Sequence, residues 1–149
     1  MTAFVNRVSS AVLFVHGDPA AEIGRGYTIH LAVADTDKET DIKKMVSTVS
    51  EARSFRNGAG EPALSLRDIK GEVLILPDEN VLAKCIRGRR PIYDEVADVN
   101  FARTVYSDLI AAFRASGINA VGTPDFGGRM DASVRYDGFH TFIVDTYEA

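Results

Sequence analysis

The chain has no tryptophan, one cysteine and three histidines among its 149 residues. Cys85 alone cannot close an internal disulfide, and His16, His30 and His140 stand at none of the spacings of a zinc site. Neither a cross-link, a metal nor any other cofactor is therefore expected. Long apolar runs are missing too: none exceeds the five residues of Ala11–Val15, against roughly 20 needed to span a bilayer. The N-terminal stretch places Arg7 among strand-like residues and has no extended apolar block, so a signal peptide is not expected and the cytoplasm is the default compartment. Basic excess is also absent. With 17 Lys and Arg against 21 Asp and Glu, the net charge is −4. That argues against non-specific nucleic-acid binding, whose affinity comes from clustered cations, and leaves room only for a local basic patch.

What is present fits one globular domain over 1–149. Apolar residues make up 46% and charged residues 26%, and a domain of this size buries roughly two-thirds of the surface its unfolded chain exposes. Ala3–Val8 and Ala11–His16 read as strands, with a turn at His16-Gly17-Asp18-Pro19. Glu22–Ala34 resumes as strand, bent where Gly24 and Gly26 fall close together. Thr36 and Glu39 have the spacing of a capping box. Behind them Ile42, Met45, Val46 and Val49 form the apolar stripe of an amphipathic helix that ends near Ser54.

A loop over Asn57–Pro62 leads to short strands at Leu64–Leu66 and Glu72–Leu76, the second stopped by Pro77. Asp98 suits the N-cap of a second helix, whose apolar face runs from Ala102 to Phe113 and which Gly117 ends. Ala132–Thr146 reads as strand segments around Tyr136-Asp137-Gly138. The pattern predicts an α+β fold, with a mostly antiparallel sheet and two packed helices.

Side-chain chemistry is sparse. No serine sits in a nucleophile elbow, and each histidine reads as an ordinary strand or turn residue. Cys85 lies near Lys84 and Arg87, which favour a thiolate, but no partner base precedes it. Two segments stand out. Lys84-Cys85-Ile86-Arg87-Gly88-Arg89-Arg90-Pro91 places four cations in seven positions beside a glycine and a proline, suited to phosphate contacts and equally to a solvated turn. Pro77-Asp78-Glu79-Asn80 follows directly on a buried strand, where backbone N–H groups can form an oxyanion pocket.

On a wider set of residues the chain resembles the D-aminoacyl-tRNA deacylase family, also called D-tyrosyl-tRNA deacylases. The likeness is carried from end to end by Asn6-Arg7-Val8, Glu22-Ile23-Gly24-Arg25-Gly26, Arg53, Phe55, Leu64-Ser65-Leu66, Gly88-Arg89-Arg90-Pro91, Phe126-Gly127, Met130, Asp137-Gly138, Thr141 and Asp145. It implies a β-barrel-like domain that pairs as a homodimer and hydrolyses the ester joining a D-amino acid, or glycine, to tRNA. In that family backbone N–H groups of a Ser-Gln-x-Thr motif polarise the carbonyl, the tRNA 2′-hydroxyl assists, and a Gly-cis-Pro pair from the partner subunit excludes L-amino acids.

Carried onto this chain, the resemblance implies that the Glu79 and Asn80 N–H groups are the catalytic donors. Pro77, Asp78, Gly138, Phe139 and Thr141 would line the substrate pocket, with Arg87, Arg89 and Arg90 on tRNA phosphate. Three segments depart from the pattern. Pro77-Asp78-Glu79-Asn80 replaces Ser-Gln-x-Thr, removing one N–H and adding negative charge. Gly138-Phe139 replaces Gly-Pro, so a trans bond is expected and Phe139 is in a position to fill the pocket. Glu61-Pro62-Ala63 stands where Lys-Met-Asn is usual. Three readings follow: an editing deacylase of altered selectivity, a catalytically silent relative binding RNA, a nucleotide or a protein on the same dimeric scaffold, or new chemistry through Asp78, Glu79 or His140.

Overall fold

A computed structural model describes residues 1–147. The chain opens with β1 (Thr2–Val15), one 14-residue strand where the sequence pattern suggests two. Ser9 and Ser10 do not interrupt it. Instead β1 shifts register against β8 (Met130–Asp145), between Asn6 and Val8 and again between Val8 and Ser10. Such irregularities bend a strand. The bent β1 pairs on its other edge with two elements in turn, β3 (Gly26–Ala32) through Thr2–Val8 and β2 (Asp18–Ile23) through Ala11–Val15. The expected strand Glu22–Ala34 is therefore two strands, parted at Gly24 and Arg25. Gly26 is required by close approach: a Cβ there would lie 1.8 Å from the Glu72 carbonyl oxygen.

After β3 the chain crosses through α1 (Glu39–Glu51) and a small hairpin, β4 (Phe55–Arg56) with β5 (Pro62–Leu64), before β6 (Glu72–Pro77) joins β3 in parallel. A second crossover, α2 (Val99–Ala115), brings β7 (Asn119–Gly122) parallel to β6. Parallel neighbours need such crossovers, which is why the helices lie where they do. The sheet order is β2-β1-β3-β6-β7, with β8 on β1. Antiparallel pairs outnumber parallel ones, as the sequence pattern predicts, and the long bent β1 makes the sheet barrel-like, as the resemblance implies. β7 is absent from the sequence reading, because four residues carry too little alternation to register.

The helix signals hold with one correction. Ile42, Met45, Val46 and Val49 are buried along α1, and Val105, Tyr106, Leu109 and Phe113 along α2. Asp98 caps α2, accepting from the Asn100 N–H at 2.9 Å, and Gly117 follows the helix at φ +90°. Thr36, however, does not cap α1. Asp37 is drawn inward, accepting from the Ala34 N–H at 2.8 Å, from the Tyr147 hydroxyl, and pairing with the buried Met1 ammonium. The helix therefore begins two residues later than a Thr36 cap would start it, and the Asp41 carboxylate accepts from the Lys38 N–H at 2.9 Å.

Two apolar clusters result among the described residues. One lies between sheet and helices and includes Tyr27, Ile29, Phe55, Leu109 and Phe113. The other includes Val8, Leu13, Ile23, Leu74 and Leu76. Each such side chain contributes about 1.5–3 kcal/mol on burial.

Candidate functional site

At the end of β6 the chain turns sharply, and the turn is pinned before any functional side chain is reached. Pro77 lies opposite Leu31 in the parallel register, and the Asp78 N–H donates to the Leu31 carbonyl at 2.8 Å. Asp78 then caps a one-turn 3₁₀ helix, Glu79–Leu82. Its Oδ1 accepts from the Asn80 N–H at 3.1 Å and from the Asn80 side-chain amide at 3.0 Å. Its Oδ2 lies 3.0 Å from His30 Nδ1, the ring donating because a carboxylate only accepts.

Of the two N–H groups expected to polarise a carbonyl, that of Asn80 is thus engaged by the turn's own carboxylate. That of Glu79 has no acceptor among the described residues.

The turn lines a cleft of about 340 Å³. Leu31–Val33 form one wall; Val99, Ala102 and Tyr106 of α2 form another, and Phe126-Gly127-Gly128 with Met130 closes an end. Tyr106 fixes this wall. Its hydroxyl donates to the Ile75 carbonyl at 2.7 Å and accepts from the Thr123 N–H at 2.8 Å. Burial pushes the phenol up to about 12, so it stays protonated near neutrality. The Phe126 ring packs 5.3 Å from that of Tyr106, with the Arg103 guanidinium 5.7 Å from the Phe126 ring centre.

The arginine-rich segment is an exposed lobe beside the turn. Lys84 and Ile92 exchange backbone hydrogen bonds at 2.9 and 3.0 Å, and the Lys84 ammonium pairs with Glu95, closing the neck. Gly88 takes φ +73° at the tip. Arg87, Arg89 and Arg90 are exposed and make no ion pair among the described residues. Cys85, also exposed, sits on the same lobe.

The lobe touches the turn through Tyr93, whose hydroxyl donates to Asn80 Oδ1 at 2.7 Å.

Gly138, Phe139 and Thr141 lie elsewhere, on β8, and none lines the cleft within this chain. The Gly138–Phe139 bond is trans, as a non-proline residue favours, and Gly138 takes φ +65°. Phe139 is 98% exposed, so in its own chain it fills no pocket. Beneath this bend, buried Arg7 donates through Nε and Nη2 to the Asp137 carbonyl at 2.9 and 2.7 Å, and through Nη1 to the Ser54 carbonyl at 2.6 Å. Thr141 donates to Asn6 Oδ1 at 2.6 Å. His140 is held below its ordinary value by burial first and by the Arg7 charge second, which keeps it neutral near pH 7.

The turn stands at the end of a strand, as the sequence suggests, whereas His30, which reads as an ordinary strand or turn residue, and Tyr93 join it only in the folded chain. No local signal marks His30; its role comes from the register that sets it opposite Leu76, two residues before Asp78. Tyr93 carries a weak signal, two residues beyond the Gly-Arg-Arg-Pro run.

Comparison with known proteins bears on the fold and the family. The family profile described as D-Tyr-tRNA(Tyr) deacylase matches residues 4–145. A D-aminoacyl-tRNA deacylase of Dehalococcoides mccartyi is 36% identical over 98% of this chain and 95% of its own length. The protein of the same name from Aquifex aeolicus is 32% identical over 99% of both. Among solved structures, the c-Myc DNA Unwinding Element Binding Protein superposes with a TM-score of 0.86 at 24% identity, covering 97% of this chain and 98% of its own. A probable eukaryotic D-amino acid tRNA deacylase follows at 0.81 and 16%, covering 97% and 100%. At those identities the structural likeness speaks for the fold.

Proposed function

The chain belongs to the D-Tyr-tRNA(Tyr) deacylase family, and on that footing we propose that it hydrolyses the ester of a D-aminoacyl-tRNA or glycyl-tRNA as a trans-editing factor of altered selectivity. The observation that carries this reading is the pinned turn Pro77–Asn80, which lines a cleft and leaves the Glu79 N–H without an acceptor among the described residues. A fixed backbone donor stabilises the oxyanion that forms when water attacks an ester carbonyl. The ester C–O bond then breaks, releasing the amino acid and restoring the terminal ribose hydroxyl. No side-chain nucleophile is required, and the resemblance assigns assistance to the tRNA 2′-hydroxyl.

In this proposal the active unit is a cytoplasmic homodimer. Gly138, Phe139 and Thr141 of one protomer complete the pocket of the other, while Pro77 and Asp78 shape it from within. The 98% exposure of Phe139 supports such a role, since a phenyl ring on a strand surface gains by burial against a partner. Arg87, Arg89 and Arg90 hold RNA phosphate. Substituting Phe139 for the family's proline changes the chiral filter, which is the basis for expecting altered selectivity.

A second reading is favoured by one observation: the Asp78 carboxylate occupies the Asn80 N–H. A relative with half of its oxyanion pocket engaged would bind RNA, a nucleotide or a protein without turning it over. Single-turnover hydrolysis of D-Tyr-tRNA, Gly-tRNA and L-Tyr-tRNA by the purified protein decides between the two. Hydrolysis above a buffer blank supports the deacylase, and its order of preference reports the filter. Binding of tRNA without hydrolysis of any of the three supports the silent relative.

A further inference from the structure

Two of the polar side chains that distinguish the turn, those of Asp78 and Asn80, are partnered, and their partners outside the turn come from two separate elements. From the sheet, His30 meets Asp78 at 3.0 Å. From the basic lobe, Tyr93 donates to Asn80 at 2.7 Å. Asp78 and Asn80 join these through their own contacts, so His30, Asp78, Asn80 and Tyr93 form one hydrogen-bonded chain from β3 to the lobe.

The position of Tyr93 gives this chain a direction. Residues 85–91 are bounded by the Lys84–Ile92 backbone pair and the Lys84–Glu95 ion pair. Tyr93 follows directly on that neck, so its hydroxyl stands where the base of the lobe meets the turn. Tyr93 is 40% exposed and Asn80 is exposed, so their bond contributes little to fold stability, because water competes for both groups. Its effect is on geometry: it ties the oxygen of Asn80, and through it the peptide that follows Glu79, to the lobe carrying Arg87, Arg89 and Arg90.

We propose that Tyr93 is a positioning residue that couples the basic lobe to the catalytic turn. Binding of RNA phosphate on the arginines seats the lobe, and the Tyr93–Asn80 hydrogen bond passes that seating to the turn bearing the Glu79 N–H. This deepens the deacylase reading and rests on it. The consequence is substrate-dependent: the RNA body promotes hydrolysis of an ester that is bonded only to its terminal nucleoside.

The test compares wild type with Tyr93→Phe, which removes one hydroxyl and keeps the ring. Two substrates are used, an aminoacyl-tRNA and an aminoacyl-adenosine ester that lacks the RNA body. The expected result is a roughly three- to tenfold lower single-turnover rate on aminoacyl-tRNA, the range of one neutral hydrogen bond. The rate on aminoacyl-adenosine, the affinity for an uncharged RNA hairpin with a single-stranded 3′ tail, and Tm should all stay unchanged. An equal loss on both substrates would reduce Tyr93 to a local support and overturn the coupling, as would no loss on either.

A second readout does not depend on turnover. Titrating the same hairpin into labelled protein should shift the Glu79 and Asn80 amide resonances in wild type and leave them nearly unmoved in Tyr93→Phe at equal affinity. Equal shifts in both proteins, or none in wild type, overturn the proposal even if hydrolysis is normal. If wild type fails to bind the hairpin at all, the deacylase reading falls first and the coupling with it.

Discussion

The Asp78 carboxylate accepts a hydrogen bond from the backbone N–H of Asn80 at 3.1 Å, while its other oxygen faces His30 at 3.0 Å. This is an N-cap, and it orders the turn by satisfying a donor at the start of the 3₁₀ helix. In the proposed mechanism the same donor is one of two that face a developing oxyanion. The group that stabilises the turn therefore competes with the substrate for it, and relieving that competition has a measurable effect.

Asp78→Gln removes the negative charge and weakens the cap. Freeing one oxyanion donor should raise the single-turnover rate by about tenfold or more, since such donors are worth roughly 10²–10³ when deleted. Loss of the cap should cost about 1 kcal/mol of stability. Rates measured on the same aminoacyl-tRNA, alongside a thermal melt, check both effects. An unchanged rate would remove the Asn80 N–H from the mechanism.

Replacing Arg89 and Arg90 together by Ala should weaken RNA binding and flatten its salt dependence. Two lost phosphate contacts reduce the slope of log K against log salt by about 1.4–1.8. Fluorescence anisotropy with labelled tRNA at several ionic strengths gives the slope. Both side chains are exposed, so the fold should melt as wild type does. A parallel shift of the line with no change in slope would take the pair off the phosphate.

Tyr106→Phe leaves a buried carbonyl, that of Ile75, and the Thr123 N–H without their shared partner. Stranding such groups costs about 1–3 kcal/mol. At roughly 2–4 °C per kcal/mol for a chain of this length, Tm should fall by about 2–12 °C. Because burial keeps the phenol protonated up to about 12, the loss should be the same at pH 6 and pH 9. A loss that grows with pH would contradict this.

His140 should titrate by NMR with a midpoint below its ordinary 6.5, lowered by burial and then by the Arg7 charge. Between that midpoint and 6.5 the unfolded chain binds more protons than the folded one. Stability therefore rises with pH across the window, is fully present above 6.5, and is lost as pH falls towards the folded midpoint. His140→Gln should remove that slope while leaving stability at pH 8 nearly unchanged. Equal acid-side slopes in the two proteins would show that other groups set it.

Much of the scaffold was legible because its signals are local. The period of Ile42, Met45, Val46 and Val49 marks α1 whatever lies around it. Asp98 and Gly117 mark the ends of α2 through capping chemistry that needs only adjacent backbone. Thr36 shows where local reading stops: its capping-box spacing is sound, yet Asp37 is claimed by the Ala34 N–H, the Tyr147 hydroxyl and the Met1 ammonium. Long-range partners outweighed a local cap. The four residues of β7 escaped for a related reason, since a strand that short is defined by its neighbour β6 rather than by its own pattern.

The candidate site divides in the same way. That a rewritten turn follows a buried strand, that arginines cluster around Gly88, and that the chain belongs with the aminoacyl-tRNA deacylases are all written in order along the sequence. Residue types and spacings suffice for those. The bond of His30 to Asp78 spans 48 positions and that of Tyr93 to Asn80 spans 13. Each depends on strand register and on the closed neck of a lobe, to within a few tenths of an ångström. Tertiary structure alone decided that one expected donor is engaged and the other left open, and that Phe139 stands on the surface of its own chain. A hydrogen bond is a matter of distance and angle, and the order of residues sets neither until the chain has packed.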